Sequence, residues 1–359
     1  MKANLLLCLL AATALVLSAC GPTTTPAPQV IKETVEVPVQ QTVQVQQTVE
    51  VQITTTPQPI SVIRVSMGYI PNFQYAPFYV ALEKGYFAEE GLQIIMDYGT
   101  EEDAVKKVAS GTTDFGTSSG DSIILARANG IPVKYVMRWY NGWPTAIFSL
   151  KDKNITKPED LVGKIVGLPG PFGANWVAYQ ALLAKQGIDP ASITVQMIGF
   201  TQITAVSEGQ VDAAAGYAVN EPLQLQAQGK EVNVINVSDY VNLVPIGMFT
   251  SEQYITDHPD TVQKFVRGLL RGINATLAEP DFALEAVIRA VQFSGGNARP
   301  GTKAGLEAAM KYWTGAGTYD SATFKETQDL MVELGMVTTA TSVDDMFTNE
   351  FVDNAGVTP

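Results

Sequence analysis

The stretch VSMGYIPNFQYAPFYVALEKGYFAEEGL, residues 65–92, sets a short β-branched run against a helical pattern, with aromatic rings, a proline and two amides between them. Val65, Met67 and Tyr69 alternate with small residues, the period of a buried strand, and Pro71 is expected to end it because proline gives no ladder hydrogen bond. Phe78, Ala81, Leu82 and Gly85 then fall at helical spacing, with Glu83 and Lys84 on the wet face. The polar segment between the two patterns therefore lies at a strand-to-helix turn. In open α/β sheets such turns, at the carboxyl ends of strands, hold small ligands. An amide offers donor and acceptor together, which suits a heteroaromatic ring edge, and a neighbouring aromatic side chain supplies stacking. Asn72, Phe73, Gln74 and Tyr75 are thus the first ligand candidates, against the plain reading of a satisfied turn beside a core Phe.

Outward from that stretch, strand and helix patterns alternate. Residues 94–97 read as extended, 104–110 as helical, 114–116 as extended, 121–129 as helical and 133–139 as extended. A second copy begins at Lys164 in KIVGLPG, followed by a helix over 175–186, a strand over 194–198, a helix over 203–208, a strand over 213–217, a helix over 221–228 and a strand over 232–237. The alternation predicts an α/β protein with mainly parallel sheet.

Four segments in order, VALEKGYFAEEGL after GYIPNFQYAPFY, then GTTDFG at 111–116, KPEDLVGKIVG at 157–167 and GQVDAAAGYAVNEP at 209–222, resemble the thiamine-pyrimidine-synthase-like branch of ABC-importer substrate-binding proteins. The likeness covers nearly everything after residue 61. It implies a two-lobed, periplasmic-binding-protein-like type II fold, with hinged lobes closing on a ligand. The chain from Gly247 would return to the first lobe, giving lobe one at 62–145 plus 246–359 and lobe two at 146–245. Within the family, the aromatic-rich loops and YAVNEP look most like the riboflavin-binding member, with the binder of a thiamine pyrimidine precursor second.

Further candidates lie at the other turns. Ser118, Ser119 and Asp121 follow the strand at Phe115 and suit either a helix N-cap or a cleft lining. Trp139, Tyr140 and Asn141 stand at the expected crossover between lobes, where a ring caps a flat ligand or merely packs a hinge. GLPGPFGANWVAY places Phe172, Gly173 and Asn175 at a turn that is neither a Walker loop nor a dinucleotide fingerprint, so this chain is not expected to hydrolyse ATP. Trp176 suits either the cleft or the helix core, and Tyr179 reads as helix core by its helical spacing. Tyr217, Asn220 and Glu221 end the next strand; the resemblance implies that Glu221 faces a ligand's ring nitrogens, while the helix dipole favours an acid there in any case. Arg138 is the one cation among these loops, which argues for a neutral ring over a sulfonate or nitrate.

The chain begins with Lys2, an apolar run over 5–17 and LSAC, the pattern of a signal peptide over 1–20 with a bacterial lipoprotein box. The apolar run is short of the roughly 20 residues of a membrane span. Cys20 would become the acylated, palmitate-type anchor, holding the protein on the extracytoplasmic face of the cell membrane. Cys8 would leave with the signal, so the mature chain has no intramolecular disulfide, no Cys nucleophile and no thiolate metal site. Residues 21–60, rich in Thr, Val, Gln and Pro, lack large core residues and read as a disordered tether of roughly 35 Å root-mean-square span, or a transient strand where Val alternates. The single histidine, His258, precedes a proline at a helix start. A formal charge of −13, from 23 basic and 36 acidic residues, speaks against nucleic acid.

These readings converge on a monomeric, non-enzymatic carrier. It would need no cofactor or metal, and would bind riboflavin as cargo and deliver it to an ABC permease and its ATPase. The alternative ligand is formylaminopyrimidine, the thiamine pyrimidine precursor. A sulfonate or nitrate carrier ranks below both, as does a pyrimidine-synthesising enzyme, whose His and Cys-rich segment this chain lacks.

Overall fold

The computed structural model describes residues 60–295, 299, 301–313 and 317–357. The signal over 1–20 with Cys20, and residues 21–59 of the tether read over 21–60, lie outside the described residues. Among the described residues, ten strands form two five-stranded sheets. The first holds β1 (Ser61–Met67), β2 (Leu92–Tyr98), β3 (Phe115–Ser118), β4 (Val133–Arg138) and β10 (Gly247–Ser251), in the order β2-β1-β3-β10-β4. The second holds β5 (Thr145–Leu150), β6 (Ile165–Leu168), β7 (Thr194–Met197), β8 (Ala213–Tyr217) and β9 (Val232–Asn236), in the order β7-β6-β8-β5-β9. The two orders are the same pattern repeated, so each lobe is one copy of it.

The helices between the strands are α1 (Ala76–Glu83), α2 (Tyr86–Glu89), α3 (Glu101–Ala109), α4 (Gly120–Ala128), α5 (Gly173–Gln186), α6 (Gln202–Ser207) and α7 (Glu221–Ala227). After β10 come α8 (Glu252–Asp257), α9 (Pro259–Ala278), α10 (Pro280–Phe293), α11 (Thr302–Trp313), α12 (Ser321–Glu333) and α13 (Glu350–Asp353). The apolar stripe of α9 packs on α1 and α2. Phe265 is fully buried, its ring 3.9 Å from Phe115 and 5.7 Å from Phe87. Burying such a ring contributes roughly 1.5–3 kcal/mol. Gly272 lets the two backbones approach, since a Cβ there would sit 2.4 Å from the carbonyl oxygen of Pro77.

Three expectations are corrected. The sheets are mixed: β5 and β10 run antiparallel to both neighbours while the other pairings are parallel. Periodicity reports strand and helix but not strand direction, and each antiparallel strand is where the chain crosses from one sheet and enters the middle of the other. β5 itself escaped the sequence reading because TAIFSL is buried along nearly its whole length and shows no alternation. Lastly, β1 stops at Met67, so Tyr69 is outside the strand. The Gly68 N–H donates to Thr117 Oγ1 at 2.8 Å, which takes the chain out of the ladder before Pro71 is reached.

Candidate ligand site between the lobes

The crossovers make the site. β4 leaves its sheet at Arg138 and β5 starts at Thr145, opposite the end of β8 at Tyr217; β9 likewise leads to β10, whose Gly247 pairs with Ser118 and Arg138. The carboxyl ends of the parallel strands in the two sheets therefore face one another. Between them lies a cavity of about 80 Å³ that opens partly to solvent.

The turn after β1 supplies Tyr69, Gln74 and Tyr75; the turn after β2 supplies Thr100, Glu101 and Glu102; β3 supplies Thr117, and the segment after β4 brings Trp139 and Tyr140. Facing them, the turn after β6 supplies Phe172, Gly173 and Asn175, the turn after β7 supplies Phe200 and Gln202, and the segment after β8 supplies Tyr217, Asn220 and Glu221. Tyr69 and Phe200 meet across the gap, ring centroids 5.0 Å apart and nearly perpendicular.

The aromatic wall of the first lobe is fixed from behind. Trp139 stacks on Phe78 at 5.1 Å and abuts Trp313, and Tyr140 packs on Tyr312 at 5.5 Å and on Trp313 at 6.1 Å. Burial pushes the phenols of Tyr69, Tyr75, Tyr140 and Tyr217 well above their ordinary range, so each stays a neutral donor at physiological pH. Tyr140 Oη and Asn175 Oδ1 are buried without a hydrogen-bond partner, one on each wall. A buried unpaired polar atom costs about 1–3 kcal/mol, which a ligand hydrogen bond would recover.

Three carboxylates complete the lining. Glu221 Oε2 accepts from the Tyr217 N–H at 2.8 Å and its Oε1 from Asn220 Nδ2 at 2.7 Å, while Asn220 Oδ1 accepts from Gln224 Nε2 at 2.6 Å. Burial raises the Glu221 carboxyl above its usual range. Glu101 Oε2 accepts from the Ser119 hydroxyl, from the Ser119 N–H at 3.2 Å and from Ser122 Oγ at 3.4 Å. Burial, and then the neighbouring Asp121, push Glu101 up to about 8, and burial pushes Asp121 up to about 6. No Lys, Arg or His stands among the described lining residues.

Several candidates lie elsewhere. Asn72 accepts from the Gln74 N–H at 2.9 Å and caps the short 3-10 turn Phe73–Tyr75, and Phe73 is buried; both border a separate hollow beside α10 and α11. Ser118 bonds toward Tyr135, and Ser119 occupies the N-cap position of α4 but turns its hydroxyl to Glu101. Asp121 is buried behind Glu101, where it acts on the lining carboxyl without reaching the cavity. Asn141 points away, Nδ2 donating to the Lys311 carbonyl at 3.3 Å. Tyr179 is fully buried in the core of the second lobe, and His258 joins α8 to α9 with its ring 4.8 Å from Tyr254.

Residues 72–283 match the family described as NMT1/THI5 like. The chain belongs to that family. Among NMT1/THI5-like relatives, it is 39% identical over 300 residues to the riboflavin-binding protein RibY of Chloroflexus aurantiacus, covering 81% of this chain and 86% of RibY. It is 28% identical over 235 residues to the formylaminopyrimidine-binding protein of Halalkalibacterium halodurans, covering 64% of this chain and 70% of that one. Another relative, 28% identical over 236 residues, is the 4-amino-5-hydroxymethyl-2-methylpyrimidine phosphate synthase of Legionella pneumophila, with 64% of this chain and 74% of the synthase covered. In fold, the chain matches the alkanesulfonate-binding protein SsuA from Xanthomonas axonopodis pv. citri with TM-score 0.66 at 16% identity, over 81% of this chain and 99% of SsuA. The architecture is thus the two-lobed one of ABC-importer substrate-binding proteins.

Glu101, Glu102, Thr117, Phe200 and Gln202 were not singled out in the sequence, and Tyr69 was read as a strand residue, although all six line the cleft. A signal for most of them was present. Glu101 and Glu102 follow one strand pattern, and Phe200 and Gln202 follow another, at the same kind of strand-to-helix turn that singled out Gln74 and Asn175.

Proposed function

We propose that this chain is the lipid-anchored, extracytoplasmic solute-binding component of an ABC importer, with riboflavin as its ligand. The observation that carries the ligand class is the lining: aromatic rings on both walls, carboxylates, two unpartnered buried polar atoms and, among the described residues, no cation. Such walls suit a flat, uncharged heteroaromatic and give a sulfonate or nitrate nothing to pair with. The likeness to RibY over most of both chains favours riboflavin over formylaminopyrimidine. Gln74, Tyr75, Trp139, Tyr140, Phe172, Gly173, Asn175, Tyr217, Asn220 and Glu221 are the proposed ligand contacts, joined by Tyr69 and Phe200. The lobes are taken as 62–145 plus 246–359 and 146–245, closing about the two crossovers. Cys20 is the proposed anchor, and a permease with its ATPase the receiver. Turnover is not part of this reading: the sequence has one His and no Cys beyond Cys20.

The test is a titration of residues 60–359 with riboflavin, following flavin fluorescence and melting temperature. Stacking should quench the flavin and raise the melt. A melt that responds to formylaminopyrimidine and ignores riboflavin replaces the vitamin by the pyrimidine. Tyr140→Phe, which deletes one unpartnered hydroxyl, should weaken binding by about fivefold to tenfold with folding stability unchanged or slightly higher. Undiminished affinity removes that hydroxyl from the contacts.

A further inference from the structure

The lining carboxylates have a particular placement. Glu101 and Glu102 open α3 in the first lobe, and across the gap stands Gly173, the first residue of α5 in the second. A Cβ on Gly173 would lie 3.3 Å from Glu102 Oε1 and 4.0 Å from Glu101 Oε2. The 14-residue α5 has Phe172 at its N-cap position and no side-chain cap, so the positive end of its dipole lies beside these carboxyls. An uncapped helix N-terminus in a cleft is where an anion ordinarily sits. Here the protein brings its own. The buried, unpartnered Tyr140 Oη and the Asn175 Oδ1 acceptor in the same cavity mark where a ligand's neutral polar groups are received.

We infer that Glu102, with Glu101 beside it, takes the anion position at the α5 N-terminus, so that the cleft admits an uncharged heteroaromatic and rejects its phosphate ester. This rests on the proposed carrier role and names the charge class of its cargo. A phosphate brought to this end of the cavity meets the Glu102 carboxyl at close range, and like charges set against each other disfavour the wrong ligand. Arg299 is the competing feature: it borders the neighbouring hollow, which shares Asn220 with the main cavity, and it acts electrostatically on Glu221. A phosphate threaded past Asn220 would escape the rule.

The experiment compares riboflavin with riboflavin 5′-phosphate by calorimetry on residues 60–359, in the wild type, in Glu102→Gln and in the Glu101→Gln, Glu102→Gln double variant. The ester should bind the wild type about a hundredfold more weakly, and the ratio should fall at least about tenfold in the variants. Equal binding of both flavins to the wild type overturns the inference, and loss of ester binding alone in Arg299→Ala would then assign the phosphate to the neighbouring hollow. If riboflavin does not bind, the vitamin assignment fails by itself; the same ratio for 4-amino-5-hydroxymethyl-2-methylpyrimidine and its phosphate then decides the charge rule. Should neither parent bind, methanesulfonate serves as the probe. A saturable rise in melting temperature in the double variant alone supports the inference. A rise in the wild type, or none in either protein, overturns it.

Discussion

The two walls of the cleft are built on opposite plans. In the first lobe Tyr75, Trp139 and Tyr140 are 6%, 2% and 1% exposed, whereas Phe172 and Phe200 of the second are 45% and 46% exposed. The first wall is the outer layer of a core that runs back through Phe78, Trp313 and Tyr312. The second holds Phe172 and Phe200 nearly half exposed, so part of their apolar area remains to be buried. Stability and affinity should therefore separate by lobe, with the first lobe coupling both and the second changing affinity alone.

The hardest test of that division is Trp139→Ala. It removes a ring packed between Phe78 and Trp313 and should cost about 3–5 kcal/mol of folding stability, read by urea denaturation without ligand. A loss near zero would mean that the first wall is not anchored in the core.

A second test uses pH. Glu101 is held near 8 in the folded protein against an ordinary 4.5, so the folded state keeps its proton after the unfolded chain has released it. Its contribution is fully present below about 4.5 and is lost as pH rises to about 8; Asp121, raised to about 6, acts in the same direction. Glu101→Gln should remove that slope, so the stability of the variant relative to the wild type should climb across the interval. A constant difference would show that the carboxyl is solvated in the folded state.

The smallest effects belong to the second lobe. Phe172→Ala and Phe200→Ala should leave stability within about 0.5 kcal/mol and weaken ligand binding by roughly threefold to tenfold. Equal losses of stability and affinity would erase the contrast between the walls.

The stretch at 65–92 was legible because strand period, proline and helical spacing agree there, and Gln74 and Tyr75 do line the cavity. Asn72 and Phe73, two residues away, could not be told from them: in a turn, successive side chains point in different directions, and Asn72 turns to cap its own backbone. Ser119 illustrates the same limit. Its hydroxyl suits an N-cap, yet the fold places Glu101 beside it, and the hydroxyl donates to that carboxyl instead. Trp139 was read as a choice between ligand contact and hinge packing; its ring lines the cleft and packs into the core at once.

Composition and periodicity by themselves determined an acidic α/β chain with ligand turns at the carboxyl ends of its strands, because burial and backbone hydrogen bonding impose those periods locally. Strand direction, the entry of β5 and β10 into the opposite sheets and the placing of Glu101 and Glu102 against α5 were decided by tertiary structure alone. They join residues far apart in the sequence, and only the crossing of the chain between two sheets brings those residues within reach of one another.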